Sequence, residues 1–173
     1  MDFNKIGRGH RIAAGAGLLL LIDLWLNWYS VNVPDELLNQ AKAAGVSIPD
    51  TAVSAWQAFD FTDILLALVA LLAIAAAIQA SGLLTLPTRL SGILLPAAGL
   101  MTLWVLYRII NQPEDNSLVN VEFGAYLGLV LTAITAYGAS IAQGETASVG
   151  PADVKAPAAT TTNDPPPPPP PAV

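Results

Sequence analysis

Four blocks of about twenty residues, apolar almost throughout, constrain this chain more than any other feature of its sequence. They fall at about 12–29, 61–80, 90–110 and 123–142. An α-helix rises 1.5 Å per residue, so about 20 apolar residues cross a hydrocarbon core of roughly 30 Å. Hydrocarbon offers no hydrogen-bond partners, so a backbone that crosses it closes its own ladder and is helical. The apolar residues come in long blocks and not in the one-sided stripes of a soluble helix. Hydrophobic residues make up 54% of the 173 and charged residues 12%, where a soluble domain carries about 25% charge. The expected fold is all-α: an integral membrane four-helix bundle with an outer loop at 31–60 and a disordered Pro-rich C-terminal tail at 143–173.

The same composition removes several function classes. The chain has no cysteine, which excludes disulfides, thiolate metal sites and cysteine nucleophiles. Its net charge is −6, with only 7 Lys and Arg spread along the chain. No basic cluster is therefore present to neutralise nucleic-acid phosphates. The sequence contains no Gly-rich phosphate loop, Ser-His-Asp set or zinc-ligand spacing. No cofactor and no enzymatic activity are expected. Asp60-Phe-Thr-Asp63 offers two carboxylates, too few oxygen ligands for a divalent cation by themselves.

Lys5, Arg8 and Arg11 precede the first block, and no Ala-x-Ala cleavage pattern follows it, which reads as an uncleaved signal-anchor. Basic residues near spans are biased toward the cytoplasm. With the N-terminus inside, Lys5, Arg8, Arg11, Arg89 and Lys155 are cytoplasmic and only Lys42 and Arg108 lie outside. Both termini are therefore expected in the cytoplasm. The sole histidine, His10, sits among these basic residues and reads as part of a cytoplasmic anchor, residues 1–11.

In the outer loop, Pro34-Asp35-Glu36 and Gly45 bracket a Leu-Leu-Asn-Gln-Ala-Lys-Ala-Ala run, the start and stop signals of a short helix. Ser54 followed by Gln57 has the form of a capping box, leading into an interfacial turn at 54–59. The short connection around Ser81-Gly82 and Pro87 makes the second and third spans antiparallel neighbours. Pro96, between Gly92 and Gly99, is expected to kink the third span. Small residues at Ala13 to Gly17, Ala67, Ala70 and Ala73, and at Gly124-x-x-x-Gly128, read as internal helix packing. Seven prolines, Pro165 to Pro171, give the tail a stiff polyproline II end. It reads as a solvated tail in preference to a ligand for an aromatic groove, because no basic residue flanks the prolines.

Polar residues gather at one depth, the outer edge. Asp23, Asn27 and Ser30 follow i, i+4, i+7 spacing, one face of the first helix. Asp60 and Asp63 open the second span, Arg108 ends the third and Glu122 enters the fourth. An acid at the depth of Asp23 costs several kcal/mol unless paired or neutral. Arg108 is its natural partner, and Asp63 competes for the same guanidinium. The structural reading is an ion pair and caps that fix helix register. The functional reading makes Asp23 a proton or cation site at the mouth of a transport path. The structural reading is preferred, because one charge alone is deep and no polar stripe continues to the cytoplasmic side. Trp28, Tyr29, Trp56, Phe59, Trp104 and Tyr107 form an aromatic rim at the same edge, whereas belts ordinarily mark both interfaces.

Several stretches resemble a known group. They are Gly15-Ala-Gly-Leu-Leu-Leu20, Trp28-Tyr29, Ser54-Ala-Trp56-x-x-Phe59, Tyr107-Arg108-Ile-Ile-Asn-Gln-Pro113 and Gly124-Ala-Tyr-Leu-Gly128. Over roughly residues 8–140 the chain resembles the uncharacterised small four-span integral membrane proteins of actinobacteria. The resemblance implies four spans in a bacterial cytoplasmic membrane and no activity. The layout is also similar to claudin-like four-span proteins, whose outer loop carries a Trp-based signature and a cysteine pair. Without cysteine that likeness is one of architecture alone. The expected function is a structural or interaction component of the cell envelope. Its partners are the lipid bilayer and a membrane or envelope protein, with a homo-oligomer left open. The alternative is a small transporter or channel subunit working through Asp23 and Arg108.

Overall fold

The computed structural model describes residues 6–46, 51–58, 61–112 and 119–148. In chain order these form α1 (Arg8–Asp23), β1 (Asn27–Val31), α2 (Asp35–Ala43), β2 (Ala52–Ser54), α3 (Ala55–Ala58), α4 (Thr62–Ala80), α5 (Leu90–Ile110), β3 (Val119–Val121) and α6 (Phe123–Ser148). Three helices, α4, α5 and α6 as far as Glu145, are long and apolar enough to cross a membrane. α1 has 16 residues, a rise of about 24 Å against a hydrocarbon core of roughly 30 Å.

The helix expected over 12–29 thus stops early, at Asp23. Two tight turns close it, Trp25 N–H donating to the Ile22 carbonyl and Leu26 N–H to that of Asp23. The next residues then enter a sheet. β1 lies between β2 and β3 and is antiparallel to both. Tyr29 sits opposite Val53 on one side and Val121 on the other. Residues 27–31 are rich in aromatic and β-branched side chains, which favour a pleated strand. Two partner strands satisfy the backbone groups that a helix would have satisfied internally. The register slips between Asn27 and Tyr29. Trp28 is the extra residue of this bulge, which lets Trp28 and Tyr29 both turn inward, as regular alternation forbids.

The four long helices pack in a ring. α1 lies along α6 and α4, and α5 lies along the same two, so α1 and α5 face each other across the ring. The α1–α6 seam keeps one antiparallel register over its whole length. A Cβ on Gly9 would collide with the backbone of Gly138 and Ala142, one on Gly138 with that of Gly9 and Ala13, and one on Gly128 with Asp23 and Trp28. Gly17 meets Ala70 and Ala73 of α4 in the same way. Close backbone approach gives dispersion contact that hydrophobicity cannot supply in lipid. The core this creates centres on Ala13, Ala16, Leu20, Leu66, Ala70, Ala73 and Ala139.

Local signals act as their chemistry dictates. α2 ends in a Schellman motif at Gly45 (φ +68°), with Val46 N–H donating to the Ala41 carbonyl and Gly45 N–H to that of Lys42. Gln57 Oε1 accepts the Ser54 N–H at 3.1 Å, the returning half of a capping box. α5 continues through Pro96. α6 extends to Ser148, past the expected start of the tail at 143, and residues 149–173, with the proline run, lie outside the described residues.

Candidate functional site

The sheet end of the helix ring is where the candidate residues converge, and Trp28 organises it. Its side chain is 1% exposed and fills the slot left by Gly124 and Gly128 of α6. Its Nε1–H donates to the Asp23 carbonyl at 3.1 Å, which ties β1 to the end of α1. Tyr29, equally buried, reaches the opposite way and donates its hydroxyl to the Arg108 carbonyl at 3.2 Å. One strand therefore pins the ends of α1, α5 and α6 together.

Glu122 joins the same assembly. Its carboxylate accepts the Ser30 hydroxyl at 2.6 Å, and its N–H donates to the Trp28 carbonyl at 2.9 Å. Around this platform stand Trp25 stacked at a tilt on Trp56 (centroids 6.2 Å apart) and Trp104 on Tyr107 (5.8 Å). Trp104 Nε1–H also donates to the Thr62 hydroxyl at 3.1 Å, linking α5 to α4. Tyr107 accepts a bond from the Asn111 amide. Trp56, Trp104 and Tyr107 remain substantially exposed, whereas Trp28 and Tyr29 are core. The expected rim is thus two populations, buried pins and exposed rings.

The expected ion-pair network is not formed. Asp23 is 1% exposed, and neither carboxyl oxygen has a hydrogen-bond partner. It packs against Gly128. Arg108 sits on α5, the helix across the ring from α1. Asp63, buried in the first turn of α4, accepts the neighbouring Ile64 N–H at 2.8 Å. That geometry suits the positive end of a helix. The expected single helical face of Asp23, Asn27 and Ser30 also gives way, because Asn27 and Ser30 belong to β1. Asn27 is exposed and faces Ser54 across the sheet. Phe59 and Asp60 lie outside the described residues.

A second polar cluster, at the opposite end, escaped the sequence reading. His10 is buried in the first turn of α1. Glu145 accepts the Gly9 N–H at 3.3 Å on both oxygens, capping the start of α1 from the last turns of α6. Gln143 donates to the Ser91 carbonyl at 3.1 Å. Thr132 and Thr135 are fully buried between the two ends. Their hydroxyls donate to the preceding-turn carbonyls of Gly128 (3.0 Å) and Leu131 (2.8 Å). The half of the ring away from the sheet is therefore not plain apolar scaffold. The available signal was Gln143 and Glu145 directly after the fourth block, which extend α6 by two polar turns.

Among the described residues no group of three His, Cys, Asp or Glu is placed to hold a metal ion. No family model, curated protein or solved structure matches this chain.

Proposed function

We propose that this chain is a four-span membrane protein, with α1 as its shortest crossing and both termini cytoplasmic. It serves as a structural or interaction component of a bacterial cell envelope. The sheet end is its contact surface. One observation carries this reading: a rigid platform bears an uncovered helix. Buried Trp28 and Tyr29 fix the sheet, while α2, three residues beyond β1, has no buried residue and leaves Leu37 54% exposed. With Val46, 59% exposed just past the end of α2, Leu37 offers apolar surface to a partner. The resemblance to small four-span actinobacterial proteins points to the same membrane. No catalytic chemistry is assigned.

Crosslinking in intact membranes from single photoreactive residues in α2, followed by purification in mild detergent, tests this. A stoichiometric protein crosslinked through α2, and lost in Leu37→Asp, is the expected result. A monodisperse chain with no crosslink from α2 overturns it. Because the chain has no cysteine, single introduced cysteines report topology cleanly. Labels at Arg8 and Gly144 should share one side of the membrane, and labels at Asn39 and Asn120 the other.

The unpartnered Asp23 carboxyl group favours one second reading, a small transporter or channel subunit with Asp23 and Arg108 at its mouth. Asp23→Asn protein that folds but has lost proton or cation flux in liposomes would establish it. Wild-type protein without flux removes it.

A further inference from the structure

Charge in this chain is segregated by end. The two stretches that join helices at the sheet end, residues 24–61 and 111–122, carry seven acidic residues and one basic residue, Lys42. Their net charge of −6 equals that of the whole chain, so the rest of the molecule is neutral in sum and the acidity belongs to one face. The stretch that joins helices at the opposite end, residues 81–89, carries Arg89 and no acid. α2 presents this charge beside apolar surface. Asp35 and Glu36 form its first turn, Leu37 follows them, and Val46 stands just past its other end. No residue of α2 is buried.

We infer that α2 docks a cationic segment of a second polypeptide, one that combines Lys or Arg with apolar side chains; this rests on the sheet end being a contact surface and adds the partner's chemistry. Charge complementarity selects that occupant over the others. Helices that lie on anionic headgroups carry Lys and Arg on their polar face, whereas α2 offers one Lys against two acids. A second copy would bring −6 against −6, and like charges set face to face suppress association. The chain's own residues 149–173 hold two acids and one base, so they have no positive excess to offer. An inorganic cation would leave Leu37 and Val46 uncovered. A basic, partly apolar segment covers them and meets the acids, and the field of the whole end steers its approach.

The test uses the full-length protein in phosphatidylcholine nanodiscs and a short fluorescent peptide of Lys, Leu and Ala, with empty nanodiscs as the blank. Two companion peptides carry Glu for every Lys, or Ala for every Leu. The Lys-Leu peptide should bind several-fold tighter than either companion, and added NaCl should weaken it as the charges are screened. The double variant Asp35→Asn, Glu36→Gln and the single variant Leu37→Ser should each lose several-fold in affinity. Arg89→Gln, at the opposite end, should bind as the wild type does. Equal binding of the three peptides overturns the inference, and so does wild-type affinity in both α2 variants. Should the double variant lose helix by circular dichroism, the companion peptides and the salt series on the wild type decide. Failure here is distinct from failure of the contact surface itself. A protein crosslinked through α2 in membranes, with no Lys or Arg in the crosslinked segment, removes the cationic partner and leaves the contact surface standing.

Discussion

Asp23 and Trp28 occupy one pocket against Gly128 and have opposite sensitivities. Asp23 makes no ion pair, so Asp23→Asn should leave the melting temperature in detergent within a few degrees of the wild type. A loss of folded protein would show that the carboxylate is paired in solution. Asp23→Arg, in contrast, buries an unpaired charge and should cost roughly 3–5 kcal/mol. Trp28 fills its slot completely, and Trp28→Ala should cost roughly 3–5 kcal/mol through the cavity it leaves. Chemical denaturation monitored by circular dichroism measures both.

Between elements, glycine contacts and side-chain ties bear the load in different places. The α1–α6 seam depends on close backbone approach. Gly138→Leu should separate the two helices and cost about 1–3 kcal/mol or more, while Gly15→Leu, whose Cβ would meet nothing within 4 Å, should cost little. Equal effects would mean the seam is not the close contact of the fold. The α4–α5 pair depends on ties instead. Gln79→Ala removes two hydrogen bonds to the connection at 88–90, a loss of about 1–3 kcal/mol. Proteolysis of that connection should accelerate measurably. The sheet joins segments far apart in sequence, and Ser30 and Glu122, 92 positions apart, meet there at 2.6 Å.

For the whole molecule, the boundary between what was legible and what was not follows the range of the forces involved. The apolar blocks, the Pro34 and Gly45 bounds of α2, the Ser54–Gln57 capping box and the antiparallel α4–α5 pair were all readable, since each depends on residues close together in the chain. Transfer into hydrocarbon is a property of a segment's own side chains, and so are helix caps. The stop at Asp23 was not readable. It requires β2 and β3, from other parts of the chain, to accept the backbone of residues 27–31 and make a strand preferable to two more helical turns. Nor could the sequence rank Arg108 as a partner for Asp23. Both lie at one depth, but only the cyclic order of the helices puts them on opposite sides of the ring. The burial of His10 beneath Glu145 has the same origin, in the antiparallel register of α1 on α6. Composition and blockwise hydropathy thus determined that this chain is helical and that segments of it suit a membrane, because solvent transfer is decided locally. Which polar groups meet, and which are left alone, was decided by the tertiary structure, because that depends on how helices distant in sequence are ordered and aligned.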